Sequence, residues 1–527
     1  MAEPRTKTTR VADLLLLVDR GGGPALHRQI EAAIRDAIRA GRLRRGAALP
    51  PTRVLAADLG VSRGVVVEAY QQLTAEGYLS SRSGGYTQVA ADPQAVSRTG
   101  TAGASGTAAT PGTPGPTTSP ASAAGSTSGR YAAGAPLRID FGYGRSNPAQ
   151  FPRSAWLRSV NRALTQAPTE RFSYLDGHGV PELRQALADY LNRVRGTMAR
   201  PDDIVICNGY AQGIGLLIQV MSAAGARRLA VEDPSAYDDA IPFAAAAGLE
   251  VVGVPVDEHG IRVDQLERAD ADLVVVTPSH QWPTGAVLGP DARAALIRWA
   301  RARDALIIED DYDAEYRYDR DPIGAIQGLG PDHVAYAGTA SKTLAPGLRL
   351  GWLVLPRRLV GPVAEAKVAA DRGSPVTDQL AFADFLAHGE FDRHLRRTRP
   401  VYRRRRDALL AALARHLPDW EPTGVSAGFH LIAWLPPGLG EDEVVAAAAR
   451  RGVGVYGIAA DRMTPGRPAI LFGYACLTEQ TIAEGVALIA EAVKALKALK
   501  APKALNQDQE PIGPAGRQAP SVAASDV

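Results

Sequence analysis

Lysine is scarce in this chain: of its 59 basic residues only seven are Lys. Cysteine is scarcer still. Cys207 and Cys476 cannot build a disulfide framework and have no metal-ligand spacing, which fits a reducing compartment. Long apolar runs are missing too, and none reaches the roughly 18 residues of a membrane span. The early "LLLLV" (residues 14–18) is too short for a signal core and is flanked by Asp13 and Asp19. Nor is there a large charge of one sign: the net charge is +3, so the molecule as a whole is not strongly basic. These absences predict a soluble cytoplasmic protein with no membrane partner.

What is present is size and an uneven layout. The 527 residues, 46% of them hydrophobic, are enough for two or more domains with large cores. Residues 99–129 contain only Ala, Gly, Ser, Thr and Pro, so they have nothing large to bury and read as a disordered linker. As a flexible coil its ends would lie roughly 30 Å apart. The expected division is a small unit at 1–90, a linker at 91–136, a large unit at 137–496 and a tail at 497–527. Residues 1–90 carry thirteen Lys/Arg against eight Asp/Glu, whereas the remainder carries 46 against 48. The basic excess therefore sits in the small unit, where a nucleic-acid footprint would put it.

In that unit "LHRQIEAAIRDAIRAG" places apolar residues at 26, 30, 34 and 38, one helical stripe closed by Gly41. "LPPTRVLAADLGVSRGVVVEAYQQLTAEGYL" then predicts two helices joined by a tight turn at Gly60, with Thr52 capping the first and Ser62 the second. "LSSRSGGYTQVA" predicts a hairpin with Gly84-Gly85 at its tip, a wing. Ser62 and Arg63 would meet the major groove of double-stranded DNA. Arg53 would meet the phosphate backbone, and Tyr86 and Thr87 would support the wing. A three-helix bundle that binds protein or nothing is the alternative. Residues 26–89, through "LPPTRVLAADLGVSRGVV" and "YQQLTAEGYL", closely resemble the winged helix of GntR-type regulators, which implies DNA binding. One departure is that Gly64 and three valines follow the Ser-Arg pair, so base contacts would be few and DNA shape would matter more.

From residue 137 onward short apolar runs alternate with helical stretches. "DDIVICNG", "RRLAVEDP", "ADLVVVTPSHQWPTG", "DALIIEDDY" and "HVAYAGTASK" each predict a buried strand ending in a polar or Gly-rich loop. This pattern implies a mainly parallel α/β sheet, whose ligands sit at the carboxyl ends of strands. After the first strand a Gly-rich turn at 209–213 opens a helix and suits an anion. After the third come His280 and Gln281, able to bond an aromatic hydroxyl. After the fourth come Asp310, Asp311 and Tyr312. After the fifth come Thr339, Ser341 and Lys342, with Arg349 beyond. Taken singly, each has a plainer role as a cap, a surface acid or a solvated lysine. Together a phosphate cradle, an acid, a phenol and a lysine fit pyridoxal phosphate, which needs a Lys for its Schiff base and an Asp for its ring nitrogen.

"TPSHQWPTG", "IIEDDYDAEYRYDRDPIGAIQGL" and "GTASKTLAPGLRLGW" resemble fold-type I aminotransferases. Their fusion to a winged helix resembles the MocR subgroup of GntR regulators. The implied fold is therefore multidomain: an N-terminal winged helix-turn-helix followed by an α/β fold-type I aminotransferase-like domain that binds pyridoxal phosphate. The resemblance implies Lys342 as the Schiff-base lysine, Asp310 on the pyridinium nitrogen and Tyr312 on the cofactor hydroxyl. Arg349, Ser341, Thr339 and the turn at Tyr210, Ala211 and Gln212 would hold the phosphate, and Tyr237 would stack on the ring. It also implies a head-to-tail homodimer.

Two departures bear on activity. Leu471, in "ILFGYACL", stands where aminotransferases often carry an Arg for the substrate carboxylate, and "SAYDDAIP" around Tyr237 offers acids and no Arg. Losing a charged partner costs roughly 1.5–3 kcal/mol per hydrogen bond. The expectation is a regulator with little transaminase activity that senses pyridoxal phosphate and controls vitamin B6 synthesis or salvage; whether an amine is a second effector stays open from the sequence. The alternatives are a working aminotransferase and a non-catalytic interaction protein with an empty pocket. Eight arginines between Arg393 and Arg406 read as a solvated helical face or as further phosphate contacts.

Overall fold

The computed structural model describes residues 18, 24–81, 87–90, 137–144, 146–235, 240–318, 323–424 and 426–500. The small unit is α1 (Leu26–Arg39), α2 (Thr52–Leu59), α3 (Arg63–Ala75) and an antiparallel hairpin of β1 (Leu79–Ser81) and β2 (Thr87–Val89). Ile30, Ile34 and Ile38 of the apolar stripe are buried together with Leu55, Val66 and Leu73, each such side chain contributing about 1.5–3 kcal/mol. Gly60 turns the chain between α2 and α3 at φ 62°. The expected caps differ in detail. Pro51 holds the N-cap position of α2, so Thr52 is the first helical residue. Ser62 does precede α3, but its side chain makes no capping hydrogen bond. The hairpin tip at 84–86 lies outside the described residues.

In chain order the large unit begins with β3 (Ile139–Asp140), α4 (Arg153–Gln166), α5 (Pro181–Val194), β4 (Ile204–Cys207) and α6 (Tyr210–Ala223). Next come β5 (Arg228–Asp233), α7 (Ala240–Ala246), β6 (Glu250–Asp257), β7 (Gly260–Ile261), α8 (Val263–Leu266), β8 (Leu273–Val276) and α9 (Pro290–Arg303). They are followed by β9 (Leu306–Asp311), β10 (Val334–Thr339), β11 (Gly351–Val354), α10 (Arg357–Asp371), α11 (Val376–Ala387) and α12 (Glu390–His416). The chain ends with β12 (Glu421–Thr423), β13 (His430–Trp434), α13 (Glu441–Ala449), β14 (Val453–Gly454), β15 (Tyr456–Gly457), β16 (Ala469–Gly473) and α14 (Glu479–Lys500).

Eight strands form the central sheet in the order β4-β11-β10-β9-β8-β5-β6-β7. From β10 through β6 every neighbour is parallel. β11 runs antiparallel between β10 and β4. Helices cover both faces, so runs such as "LVVV" in β8 are wholly buried and β-branched residues fit them. A smaller antiparallel sheet, β12-β13-β16-β15, packs with α13 and α14 around its own core. The last helix continues to Lys500, past the expected boundary at Leu496. No helix of the described residues is long and apolar enough to cross a membrane.

The two units touch. Arg39 of α1 donates to the carbonyls of Gly196 and Thr197, Tyr78 Oη donates to the Gly328 carbonyl at 3.1 Å, and Leu329 packs against the core of the small unit.

Candidate functional site

The carboxyl ends of the parallel strands open on a cavity of about 360 Å³. The strands bring Thr277, Asp310, Tyr312, Thr339, Ser341 and Lys342 to its wall, and the loop before β11 adds Pro346 and Arg349. Tyr210 and Ala211 line it at the start of α6, where backbone N–H groups have no helical acceptor. Gly209 caps that helix at φ 84°, ψ 176°, a conformation open to glycine. A Cβ added there would stand 2.9 Å from Arg349 Nη2, so the bare backbone keeps space beside the guanidinium. Arg349 donates to the Asn208 carbonyl at 2.8 Å and is itself left-handed at φ 51°. Thr339 Oγ1 lies 3.0 Å from Ser341 Oγ and accepts from the Ser341 N–H at 3.1 Å. A helix N-terminus, a guanidinium and two hydroxyls make a cradle for a phosphate-sized anion.

Lys342 Nζ donates to the carbonyl of Gly144, a residue 198 positions earlier. Asp310 is the penultimate residue of β9 and faces the cavity, while its neighbours Glu309 and Asp311 point to the other side of the sheet, as the pleat requires. Tyr312 Oη donates to the His280 carbonyl at 2.8 Å, and burial, then Asp313, pushes its phenol well above the usual value, so it stays protonated. His430 lies on the wall with its ring 4.4 Å from that of Trp282 and 4.9 Å from that of His280. Burial, then His280, depresses it well below the usual histidine range, so it is neutral at pH 7.

The chain matches the family "Aminotransferase class I and II" over residues 141–489 and "Bacterial regulatory proteins, gntR family" over residues 26–89. It is 35% identical over 489 residues to the probable rhizopine catabolism regulatory protein MocR of Rhizobium meliloti, covering 91% of this chain and 96% of that one. It is 31% identical to the HTH-type pyridoxine biosynthesis transcriptional regulator PdxR of Corynebacterium glutamicum, over 92% of this chain and 99% of that one. This chain belongs to the MocR-type branch of the gntR family. The large unit of this MocR-type regulator is similar to the multiple substrate aminotransferase of Thermococcus profundus, with a TM-score of 0.64 and 26% identity over 70% of this chain and 93% of that one. It is thus a transcriptional regulator with a DNA-binding gntR domain and a fold-type I aminotransferase-like domain.

Of the expected cavity residues, Lys342, Asp310, Tyr312, Arg349, Ser341, Thr339, Tyr210 and Ala211 share one wall. Of the other four, three have side chains off the wall and one lies outside the described residues. His280 is buried behind Tyr312, with Nδ1 2.8 Å from Asp313 Oδ2, and does not line the cavity. Gln281 is likewise engaged elsewhere, with Glu232 and the Pro234 carbonyl. Gln212 turns its amide away: Nε2 donates to Asp371 Oδ2 at 2.7 Å, and Oε1 accepts from Lys367. Tyr237 lies outside the described residues. Sequence reasoning missed Tyr143, Gly144, Ser235, Trp282, Phe429 and His430, all on the wall. Trp282 follows the inspected His-Gln pair and was within reach, whereas Tyr143 and Phe429 arrive from segments with no strand-end signal.

In the gntR domain Arg53, Ser62 and Arg63 are all exposed. Arg63 Nε lies 3.5 Å from Thr52 Oγ1, so the starts of α2 and α3 form one polar end. Thr87 opens β2, half-buried, and its carbonyl accepts from Leu49 N–H at 2.8 Å. The Arg-rich helix α12 is mostly committed within the chain. Arg399 and Arg405 donate to the Glu315 and Ala475 carbonyls, and Arg393 and Arg404 pair with Glu390 and Glu479.

Proposed function

We propose that this regulator binds pyridoxal 5'-phosphate through Lys342 and changes its affinity for promoter DNA when it does so, controlling genes of vitamin B6 synthesis or salvage. The observation that carries the reading is the convergence of Lys342, Asp310, Tyr312 and Arg349, from separate stretches of chain, on one cavity. Pyridoxal phosphate supplies an aldehyde that an amine captures reversibly and a ring nitrogen that pairs with a carboxylate. Arg349, Ser341, Thr339 and the backbone at Tyr210, Ala211 and Gln212 would bind its phosphate. Asp310 would hold a proton on the ring nitrogen, and Tyr312, with its hydroxyl oriented by His280, would face the ring hydroxyl. Tyr237 remains a candidate for stacking.

A sensor is favoured over a transaminase by what the wall offers a substrate. Among the described residues lining the cavity, Arg349 is the one guanidinium, and it belongs to the phosphate cradle. Leu471 is buried in β16, paired with Ile432 and Tyr456, where no carboxylate can reach it. An amine that competes with Lys342 for the aldehyde would be the second input. The name of the Corynebacterium relative, a pyridoxine biosynthesis regulator, supports the assignment of target genes. A homodimer suits a helix-turn-helix reading two half-sites, and a head-to-tail arrangement would let each winged helix reach the partner's large unit through the 91–136 segment.

The test is a titration of pyridoxal phosphate against binding to the upstream region of the protein's own gene, with wild type and Lys342→Ala. Borohydride reduction should trap the cofactor on Lys342 in wild type alone. A several-fold affinity change in wild type and none in the variant supports the proposal. Specific DNA binding indifferent to the cofactor in both proteins overturns it.

A further inference from the structure

Strand β9 carries three consecutive acids, and the cavity uses one of them. Glu309 and Asp311, on the opposite face, are both buried and both committed to the segment 323–329. Glu309 accepts from the N–H groups of Ile326 at 2.8 Å and Gln327 at 2.9 Å. Asp311 Oδ2 accepts from Arg195 Nε at 2.7 Å, and the same guanidinium donates to the Ile323 carbonyl and, at 2.9 Å, to Ser279 Oγ. A second buried guanidinium, Arg293, donates to the Gly324 carbonyl at 2.7 Å. The sheet therefore grips this segment through buried polar groups, the Glu309 carboxyl on two backbone N–H groups and the Arg195–Asp311 ion pair, whose hydrogen bonds are costly to break.

The other side of the same segment holds the DNA-binding domain. Glu76, just past α3, accepts from the Gly324 N–H at 3.2 Å while its second oxygen accepts from Arg35 of α1 at 2.7 Å. Tyr78 donates to the Gly328 carbonyl, and Leu329 enters the core of the small unit. Ser62 and Arg63, at the far end of α3, stay exposed, so docking leaves the DNA-facing end free.

We infer that the segment Ile323–Leu329 is the coupling element of this regulator: β9 grips it through Glu309 and, by way of Arg195, Asp311, and it seats the winged helix through Glu76 and Tyr78, so a charge or displacement at Asp310 is passed to the DNA-binding domain. The inference rests on the proposed cofactor reading. Its physical basis is that packed interiors and buried hydrogen-bonded charges shift between discrete arrangements and do not deform gradually. Coupling further requires the ligand to favour one arrangement.

Two experiments on the full-length protein test it. In the first, Glu76→Ala should take up pyridoxal phosphate as wild type does and still bind DNA, but lose the cofactor's effect on DNA affinity to within about twofold, against the roughly 5–150-fold typical of allosteric coupling. A variant that keeps the wild-type shift overturns the inference. The second needs no DNA. A Cβ at Gly324 would lie 3.1 Å from Glu76 Cγ, so Glu76→Cys with Gly324→Cys, in a Cys476→Ser background, should form a disulfide. A cross-link at monomer or at dimer mass supports the seat, within one chain or across two. A rate of cross-linking that changes several-fold with pyridoxal phosphate supports the coupling even if DNA affinity does not respond, in which case the failure belongs to the sensor reading. No cross-link, or equal rates with the cofactor bound and absent, overturns the inference.

Discussion

Gly209→Ala tests the anion cradle without touching a charged group. At φ 84°, ψ 176° an alanine is held in a region essentially restricted to glycine, at a cost of order 1–3 kcal/mol. The new methyl would also stand 2.9, 3.0 and 3.3 Å from Nη2, Cζ and Nη1 of Arg349. The guanidinium must then leave its position on the Asn208 carbonyl. Losing one charge-assisted hydrogen bond to a phosphate is worth about 1.5–3 kcal/mol, or roughly 10–150-fold in affinity at about 1.4 kcal/mol per decade. Gly248→Ala is the control, because it too has a positive φ, 76°, but nothing lies within 4 Å of its Cβ. Both variants should lose denaturant stability, measured by urea unfolding. Only Gly209→Ala should weaken pyridoxal phosphate and its competitor, inorganic phosphate, measured by absorbance titration. If Gly209→Ala binds the cofactor as tightly as Gly248→Ala does, the cradle has been placed wrongly.

Three further expectations follow from the buried charges and the exposed helix ends. Burial, then Asp311, pushes the Glu309 carboxyl up to about 7, so the native state keeps a proton that the unfolded chain has released. Stability should therefore fall as pH rises from about 4.5 through about 7, by at most about 3 kcal/mol for this group, and Glu309→Gln should flatten that slope in thermal melts. Part of the slope should remain, because Glu315 is also pushed up to about 7; an unchanged slope refutes the assignment. Arg195→Ala leaves Asp311 buried without its ion-pair partner and should cost about 3–5 kcal/mol in the first urea transition, whereas a loss under 1 kcal/mol would mean the pair is hydrated. In the gntR domain, Arg63→Ala should weaken specific DNA by about 1–3 kcal/mol and relax base preference; Arg53→Ala should weaken all sequences alike and lower the salt slope by about 0.9, and a reversal of the two patterns in gel-shift titrations would exchange their roles.

Much of the fold was legible because its signals are local. Buried strands of β-branched residues alternate with helical stretches, and several of the polar residues just after them, Asp310, Tyr312, Ser341 and Lys342 among them, line the cavity. Long-range pairings were illegible. Arg195, in "LNRVRGTMAR", reads as a polar helix end, and only folding places it on Asp311, 116 positions away. Gly144, the hydrogen-bond partner of Lys342, precedes every strand recognised in the large unit. Local competition explains the smaller misses. Pro51 took the N-cap position expected of Thr52, and the Ala-Leu-Lys repeat after Leu496, rich in good helix formers, extended the last helix to Lys500. His280 was found by position, and Asp313 holds its ring behind the wall, beside the Tyr312 hydroxyl.

The alternation of β9 has a corollary. Because successive side chains project to opposite faces, deleting one residue between Leu306 and Asp310 would exchange the surroundings of the three acids: Glu309 and Asp311 would face the cavity, and Asp310 would be walled in. The rim of the cavity can thus change by point substitution, whereas a change in the length of this strand would also break the hold of Glu309 and Asp311 on the segment that carries Ile323–Gln327.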